Sequence, residues 1–110
     1  TSVLLPGDVE MSAERALVRR SKGQLRSHLV MIPHHGSLTS SSPPFVSAVT
    51  DSVARGHAVV SVGREAQYGM PSQAVLGRWR RQGLSVHSTA RSGAVWMRSN
   101  GEDVWRVVWK

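Results

Sequence analysis

The sequence predicts an α/β protein with the element order β-α-β-α-β-α-β-β-β. Three observations predict it. Short apolar runs alternate with amphipathic helical segments, glycine and proline mark the boundaries between them, and the last third of the chain reads as consecutive strands. Alternation of strands and helices is typical of a layered fold with a parallel sheet. A chain of 110 residues forms one domain at most.

The first half of the chain predicts two strands around one helix. Residues 2–5 form a short apolar run, and a Pro-Gly turn then leads into Asp8. Residues 10–22 have helical periodicity, and the run at 29–32 predicts a strand buried on both faces, which Pro33 ends. The residues available for the apolar face of the helix are Met11, Ala13, Leu17 and Val18.

The second half predicts two more helices and the remaining strands. Serines 40–42 precede two prolines, which is a helix start, and Ser72 caps a later helix that ends before Gly83. An Asn-Gly pair at 100–101 predicts a hairpin turn. The inward residues of the helices are Phe45, Val46, Val49, Val75, Leu76 and Trp79, and strands are expected at 57–62, 84–88, 94–98 and 104–109.

The composition favours a polyanionic partner. The chain has 14 basic and 7 acidic residues, a net charge of +7, which attracts nucleic acid or an anionic membrane surface. It has no cysteine, which excludes disulfides and thiolate metal sites. No run approaches the roughly 20 apolar residues of a membrane helix. Because the chain opens on Thr1 without a start methionine or targeting signal, we expect a fragment of a longer protein.

Two segments place metal-binding side chain types directly after strands. Gly7–Glu10 follows the first strand and Pro33–Ser37 follows the second, where active sites of α/β proteins gather. Carboxylate and imidazole suit zinc, manganese or iron. The residues alone also allow Asp8 to be a turn former. Adjacent histidines in an extended chain point opposite ways, so at most one of His34 and His35 is expected to be a ligand.

The order of these segments resembles that in the C-terminal domain of ComEC-type DNA-uptake (competence) proteins. The resemblance rests on Leu4–Glu10, Ile32–Ser42, Tyr68–Pro71 and Gly93–Val95, and it covers nearly the whole chain. It implies that residues 1–110 are the C-terminal half of a metallo-β-lactamase-like αββα sandwich. It also implies a two-metal hydrolase that acts as a DNase during DNA transport.

The resemblance assigns roles residue by residue. Asp8 would be the carboxylate that bridges two metal ions, manganese or zinc, and His35 the final histidine ligand. Glu10 and His34 would contact the ligands or the substrate. Ser37 and the hydroxyls at 39–42 would hydrogen-bond phosphate oxygens. From the arginine excess, Arg78 and Arg81 are expected to contact DNA.

The sequence departs from the family pattern in two places. The His-rich first metal motif of the family does not occur in it, and Ala66 and Met70 stand where the family often has Asn and His. We therefore expect the 110-residue chain to be inactive alone and to bind no metal tightly.

The expected partners are DNA and the rest of the parent chain, including a membrane channel domain. Self-association is expected through an apolar face left uncovered in half a sandwich. The parent is expected in the bacterial inner membrane, with this domain extracytoplasmic.

Two other functions fit the same residues. One is a non-catalytic DNA-binding or channel-coupling domain with a degenerate metal site, and the other is a hydrolase of a small phosphoester, which the net charge disfavours. His28, His57 and His87 match no motif and are expected to be structural. The four tryptophans are expected to pack rather than to stack on bases, and they are Trp79, Trp96, Trp105 and Trp109.

Overall fold

Four parallel strands form the main sheet in their order along the chain. The computed structural model describes residues 1–21, 23–64 and 69–108. The strands are β1 (Val3–Leu4), β2 (Leu29–Met31), β3 (His57–Val60) and β4 (Ser85–Ser88). Because each strand pairs in parallel with the next, the carboxyl ends of all four lie at one edge of the sheet.

Three helices connect these strands and cover one face of the sheet. They are α1 (Met11–Ser21), α2 (Pro43–Thr50) and α3 (Gln73–Arg81). Right-handed crossovers between neighbouring parallel strands place all three on the same side. The predicted inward residues of α2 and α3 are all buried. They form one core with Val30, Ala58 and Val60 of the sheet and with Ile32, which follows β2. The α/β expectation is confirmed.

Two expectations about burial are wrong. On α1, Ala13 is exposed and Glu14 is buried, because the stripe that faces the core passes through position 14. On β2, Val30 is buried but Leu29 and Met31 are only half-buried, because the described residues cover the second face of the sheet incompletely.

The tail forms the predicted hairpin and one unpredicted helix. Strands β5 (Trp96–Ser99) and β6 (Val104–Val107) pair antiparallel. The predicted element order lacked α4 (Thr89–Ser92), a single turn between β4 and β5. The Ser88 hydroxyl accepts a hydrogen bond from Ala90 N, and Gly93 ends the turn at φ +69°. These capping contacts are enough for one helical turn without an apolar stripe.

A histidine pair fastens the hairpin to the face of the sheet opposite the helices. His57 Nε2–H donates to the Val104 carbonyl at 3.1 Å, and His57 Nδ1 lies 3.0 Å from His87 Nε2. The two rings stack with centroids 5.3 Å apart. Burial, His57 and Arg106 together lower the pKa of His87 from its ordinary value, which favours the neutral imidazole of His87.

Apolar side chains remain exposed outside this contact. Val3, Leu5, Trp96 and Val108 are each more than half exposed, and Trp105 is 39% exposed. Of the four tryptophans, Trp79 packs in the core as expected. Tyr68 and Trp109, and the predicted end of the first helix at Lys22, lie outside the described residues.

Candidate functional site

The two predicted segments meet at the carboxyl edge of the sheet. Asp8 and Glu10 follow β1, and Pro33–Gly36, the histidine turn, follows β2. A pocket of about 150 Å³ opens there. It is lined by Gly7, Asp8, Met31, Ile32, His34, His35 and Ser61.

The histidine turn has an unusual backbone. His34 and His35 have φ values of 50° and 54°, and Gly36 follows at 78°. A left-handed conformation costs a non-glycine residue about 1–2 kcal/mol, so surrounding contacts must impose it. His34 N donates to the Gly7 carbonyl at 3.0 Å, and Ser72 N donates to the Gly36 carbonyl at 2.9 Å. The turn is therefore held between the Asp8 segment and the start of α3.

His35 faces Asp8. Its Nδ1 lies 2.7 Å from the Ser61 carbonyl, which can only accept, so Nδ1 carries the proton. In the neutral ring this leaves Nε2 with a lone pair, 3.8 Å from Asp8 Oδ1. That separation is too long for a hydrogen bond. A tautomer fixed by a backbone carbonyl is a common feature of metal-binding histidines.

His34 faces Glu10. Its Nδ1 lies 3.5 Å from Glu10 Oε1 and 3.4 Å from the Thr39 hydroxyl. The left-handed backbone, unlike an extended one, places both imidazoles near the acidic segment, with ring centroids 6.5 Å apart. The expectation that neighbouring histidines point opposite ways assumed an extended chain. Each histidine instead lies near a different acid, His34 near Glu10 and His35 near Asp8.

The Asp8–His35 pair fits two ligands of one ion. Two atoms about 2.1 Å from a tetrahedral zinc lie about 3.4 Å apart, close to the 3.8 Å observed. Within the described ranges, however, no three His, Cys, Asp or Glu side chains gather to hold a metal ion. Further ligands would have to come from elsewhere. The metal-ligand assignment therefore stays a prediction.

The hydroxyls after the turn are mostly engaged within the protein. Ser37 Oγ lies 2.9 Å from the Thr39 hydroxyl at the exposed end of the segment. Ser40 and Ser41 are fully buried, and Ser40 Oγ contacts the carbonyls of Pro33 and Ser37 at 3.0 and 2.9 Å. Phosphate contacts by the buried Ser40 and Ser41 hydroxyls would require rearrangement. The candidates that remain are Ser37, Thr39 and the half-buried Ser42.

The two predicted DNA-binding arginines differ. Arg78 is half-buried and donates to the Ser41 carbonyl at 3.0 Å. Arg81 is exposed, and the two line a small pocket beside the first half of α2. Neither forms an ion pair with a carboxylate among the residues that the structure describes. Arg81 is therefore available to an external phosphate, whereas Arg78 also braces the segment after the histidine turn.

Sequence reasoning missed Glu14 and Ser61. Ser61 acts through its backbone carbonyl, and no side chain pattern signals that. Glu14 lies between Met11 and Val18 on one helical stripe. An acid in that stripe was the available signal for a buried carboxylate.

The fold and the edge site define an α/β protein with two acid–histidine pairs at the carboxyl edge of a parallel sheet. No family model matches the chain, and no solved structure matches it. Three curated proteins are similar to it. Uncharacterized protein YcaI of Escherichia coli (strain K12) is 34% identical over 106 residues, which is 96% of this chain and 13% of that protein.

The other two have names that concern competence and recombination. Competence protein ComA of Neisseria gonorrhoeae is 37% identical over 86% of this chain and 13% of its own length. Recombination protein 2 of Haemophilus influenzae (strain ATCC 51907 / DSM 11121 / KW20 / Rd) is 36% identical over 86% of this chain and 11% of its own length. The chain thus spans only about an eighth of these relatives.

These similarities support a relationship to ComEC-type competence proteins. The similarities to the three relatives cover 86–96% of the chain. Among the described residues, no helix is both long enough and apolar enough to cross a membrane.

Proposed function

We propose that this chain is the C-terminal half of a metallo-β-lactamase-like nuclease domain, which cuts DNA with manganese or zinc during uptake. The observation that carries the proposal is the histidine turn. Its costly left-handed backbone aims both imidazoles at the acids that follow β1. Backbone strain of this kind clusters at functional sites. Similarity to Competence protein ComA supports the DNA-uptake context.

In this proposal Asp8 and His35 are the ligands that the chain contributes. The Ser61 carbonyl holds the His35 ring so that Nε2 is free to bind. His34 and Glu10 flank the pair and contact substrate, with Ser37 at the exposed end of the segment. The metal ions, when bound, supply an activated water and neutralise charge on the scissile phosphate.

The missing ligands and the missing cover for the sheet would come from another part of the parent chain. Val3 lies in the edge strand β1 and Leu5 directly follows it, and both are exposed. On the second face of the sheet, Leu29 and Met31 are only half-buried. Such a face favours packing against a further layer. Without that layer, the isolated chain would self-associate. The parent would lie in the inner membrane, with this domain outside the cytoplasm beside the channel domain.

The test is a cleavage assay on linear DNA with the full-length protein and with the 110-residue chain. We expect the full-length protein to cleave with manganese or zinc and to lose activity with a chelator. We expect the chain alone to be inactive, because two protein ligands cannot hold a dinuclear site. Metal-dependent cleavage by the chain alone would contradict the half-site proposal.

A non-catalytic DNA-binding or channel-coupling domain is the second candidate. It is favoured by the net charge of +7, which attracts DNA without a metal ion. DNA binding by a full-length protein that does not cleave under any metal condition would support this candidate over the nuclease.

Both candidates predict a contact between Arg81 and DNA. Arg81→Ala should weaken DNA binding a few-fold at low salt and reduce the salt dependence by about one phosphate contact. Its thermal stability should be unchanged, because Arg81 is exposed. Arg78→Ala should lower both the DNA affinity and the thermal stability, since Arg78 also donates to the Ser41 carbonyl. Titration of labelled DNA at two salt concentrations, with a thermal melt, measures these effects.

Arg98→Ala is the matched control, because it removes the same charge from an exposed position on β5. Equal weakening by Arg98→Ala and Arg81→Ala would mean that DNA responds to net charge alone and would contradict a contact at α3.

A further inference from the structure

Glu14 is a fully buried acid whose two oxygens both accept backbone hydrogen bonds. Oε2 accepts from Ser41 N at 2.6 Å and Oε1 from Ser42 N at 2.9 Å. Its exposed fraction is 0%. Burying a carboxylate is costly unless its hydrogen-bonding capacity is used, and here both oxygens are used.

Glu14 binds the two residues that directly precede α2. Ser42 is the N-cap residue of α2, but its side chain makes no capping hydrogen bond. Glu14 instead accepts from the amides of Ser41 and Ser42, just before the helix, and Pro43 and Pro44 at its start have no N–H to cap. The negative charge of Glu14 also suits the positive end of the helix dipole. An acid from α1 thereby holds the segment that leads into α2.

The contacts of Glu14 lead directly to the histidine turn. Ser41 is left-handed at φ 57°, and Glu14 holds its amide. The neighbouring Ser40 hydroxyl contacts the carbonyls of Pro33 and Ser37, one at each side of the two histidines. Displacement of Ser41 would therefore loosen the support beneath the turn.

The other side of Glu14 leads to the acids of the site. Glu14 lies in the first turn of α1, and its N–H donates to the Glu10 carbonyl at 2.9 Å. Helix α1 begins directly after the Asp8–Glu10 segment. The Glu14 side chain thus joins the element that carries the acids to the segment that supports the histidines, beside a backbone hydrogen bond from Met11 N to the Thr39 carbonyl at 2.9 Å.

We propose that Glu14 is a positioning residue that sets the spacing between the Asp8–Glu10 segment and the histidine turn. The inference rests on the proposed metal site for its effect on binding. The hydrogen bond from His34 N to the Gly7 carbonyl joins the acidic segment to the histidine turn itself. Glu14 joins the helix after the acidic segment to Ser41 and Ser42, which follow the turn. Partners that orient ligands typically change metal affinity by about 10–100-fold when removed.

The test variant is Glu14→Gln in the full-length protein. Glutamine has nearly the same shape, but its NH₂ group must face one of the two backbone N–H groups. We expect an unchanged circular dichroism spectrum, hydrogen exchange in residues 33–42 at least about tenfold faster without metal, and zinc or manganese affinity about tenfold weaker. Ser40→Ala should reproduce the faster exchange, since it breaks the same path at the next residue.

Val49→Ala is the control for stability alone, because Val49 is fully buried in α2 and belongs to the apolar core. It should lower the melting temperature while leaving metal affinity and exchange in residues 33–42 unchanged. Equal effects of Val49→Ala, or unchanged exchange in both Glu14→Gln and Ser40→Ala, would overturn the positioning role. A wild-type protein that binds no metal would instead refute the proposed function, and the exchange measurement would still decide the role of Glu14.

Discussion

Asp8→Ala is expected to lower DNA cleavage by the full-length protein by more than about 100-fold. Removing a residue that only orients a ligand already costs about 10–100-fold, and a carboxylate shared by two ions should cost more. The local structure should survive, because the Asp8 side chain is 73% exposed and its one ionic contact among the described residues is His35 at 3.8 Å. Initial rates with saturating metal, compared with wild type, measure the loss.

Asp51→Ala is the matched control, since it removes an exposed acid at the far end of α2. It should retain wild-type cleavage. Within the site, His35→Ala should cost more activity than His34→Ala, because His35, unlike His34, has its tautomer set by a backbone carbonyl. Glu10→Gln should cost less than Asp8→Ala. Full activity of Asp8→Ala would refute the ligand assignment.

Gly36→Ala is expected to destabilise the protein by about 2–5 kcal/mol. The left-handed backbone costs an alanine about 1–2 kcal/mol, and overpacking adds about 1–3 kcal/mol. The added Cβ would lie 2.8 Å from Pro71 Cβ and 3.2 Å from Pro71 Cα, and φ is +78°. Pro71 Cα is backbone, so the clash cannot be relieved by a side chain rotation alone. Equilibrium unfolding in urea measures the loss of free energy.

Gly83→Ala separates the two contributions. Gly83 has φ +88° but nothing within 4 Å of an added Cβ, so only the conformational cost of about 1–2 kcal/mol applies. Equal losses at the two glycines would mean that the contact between Gly36 and Pro71 does not constrain the histidine turn.

Features set by neighbouring residues were predicted well. The apolar stripe of Val75, Leu76 and Trp79 recurs at helical spacing, and it is buried as expected. The Asn-Gly pair at 100–101 predicted the β5–β6 hairpin. The short helix α4 was overlooked, although a serine before it and Gly93 after it were visible capping signals.

Other features depend on residues that are far apart in the sequence. Glu14 meets Ser41 across 27 positions, and Arg78 reaches the same residue across 37. Periodicity predicts which face of its own helix a residue occupies. It does not predict which groups from the rest of the chain will contact that face. The role of Glu14 could therefore not be predicted beyond its unusual place in an apolar stripe.

The sequence by itself determined the α/β class, the edge of the sheet at which Asp8 and His35 lie, and the positive charge, because strand periodicity and composition are local properties. Only the tertiary structure decided which acid each histidine faces. That choice depends on the left-handed backbone at His34 and His35, which contacts from Gly7 and Ser72 impose. Neither contact is encoded in the residues next to the turn, since both form only when β1 and α3 pack against it.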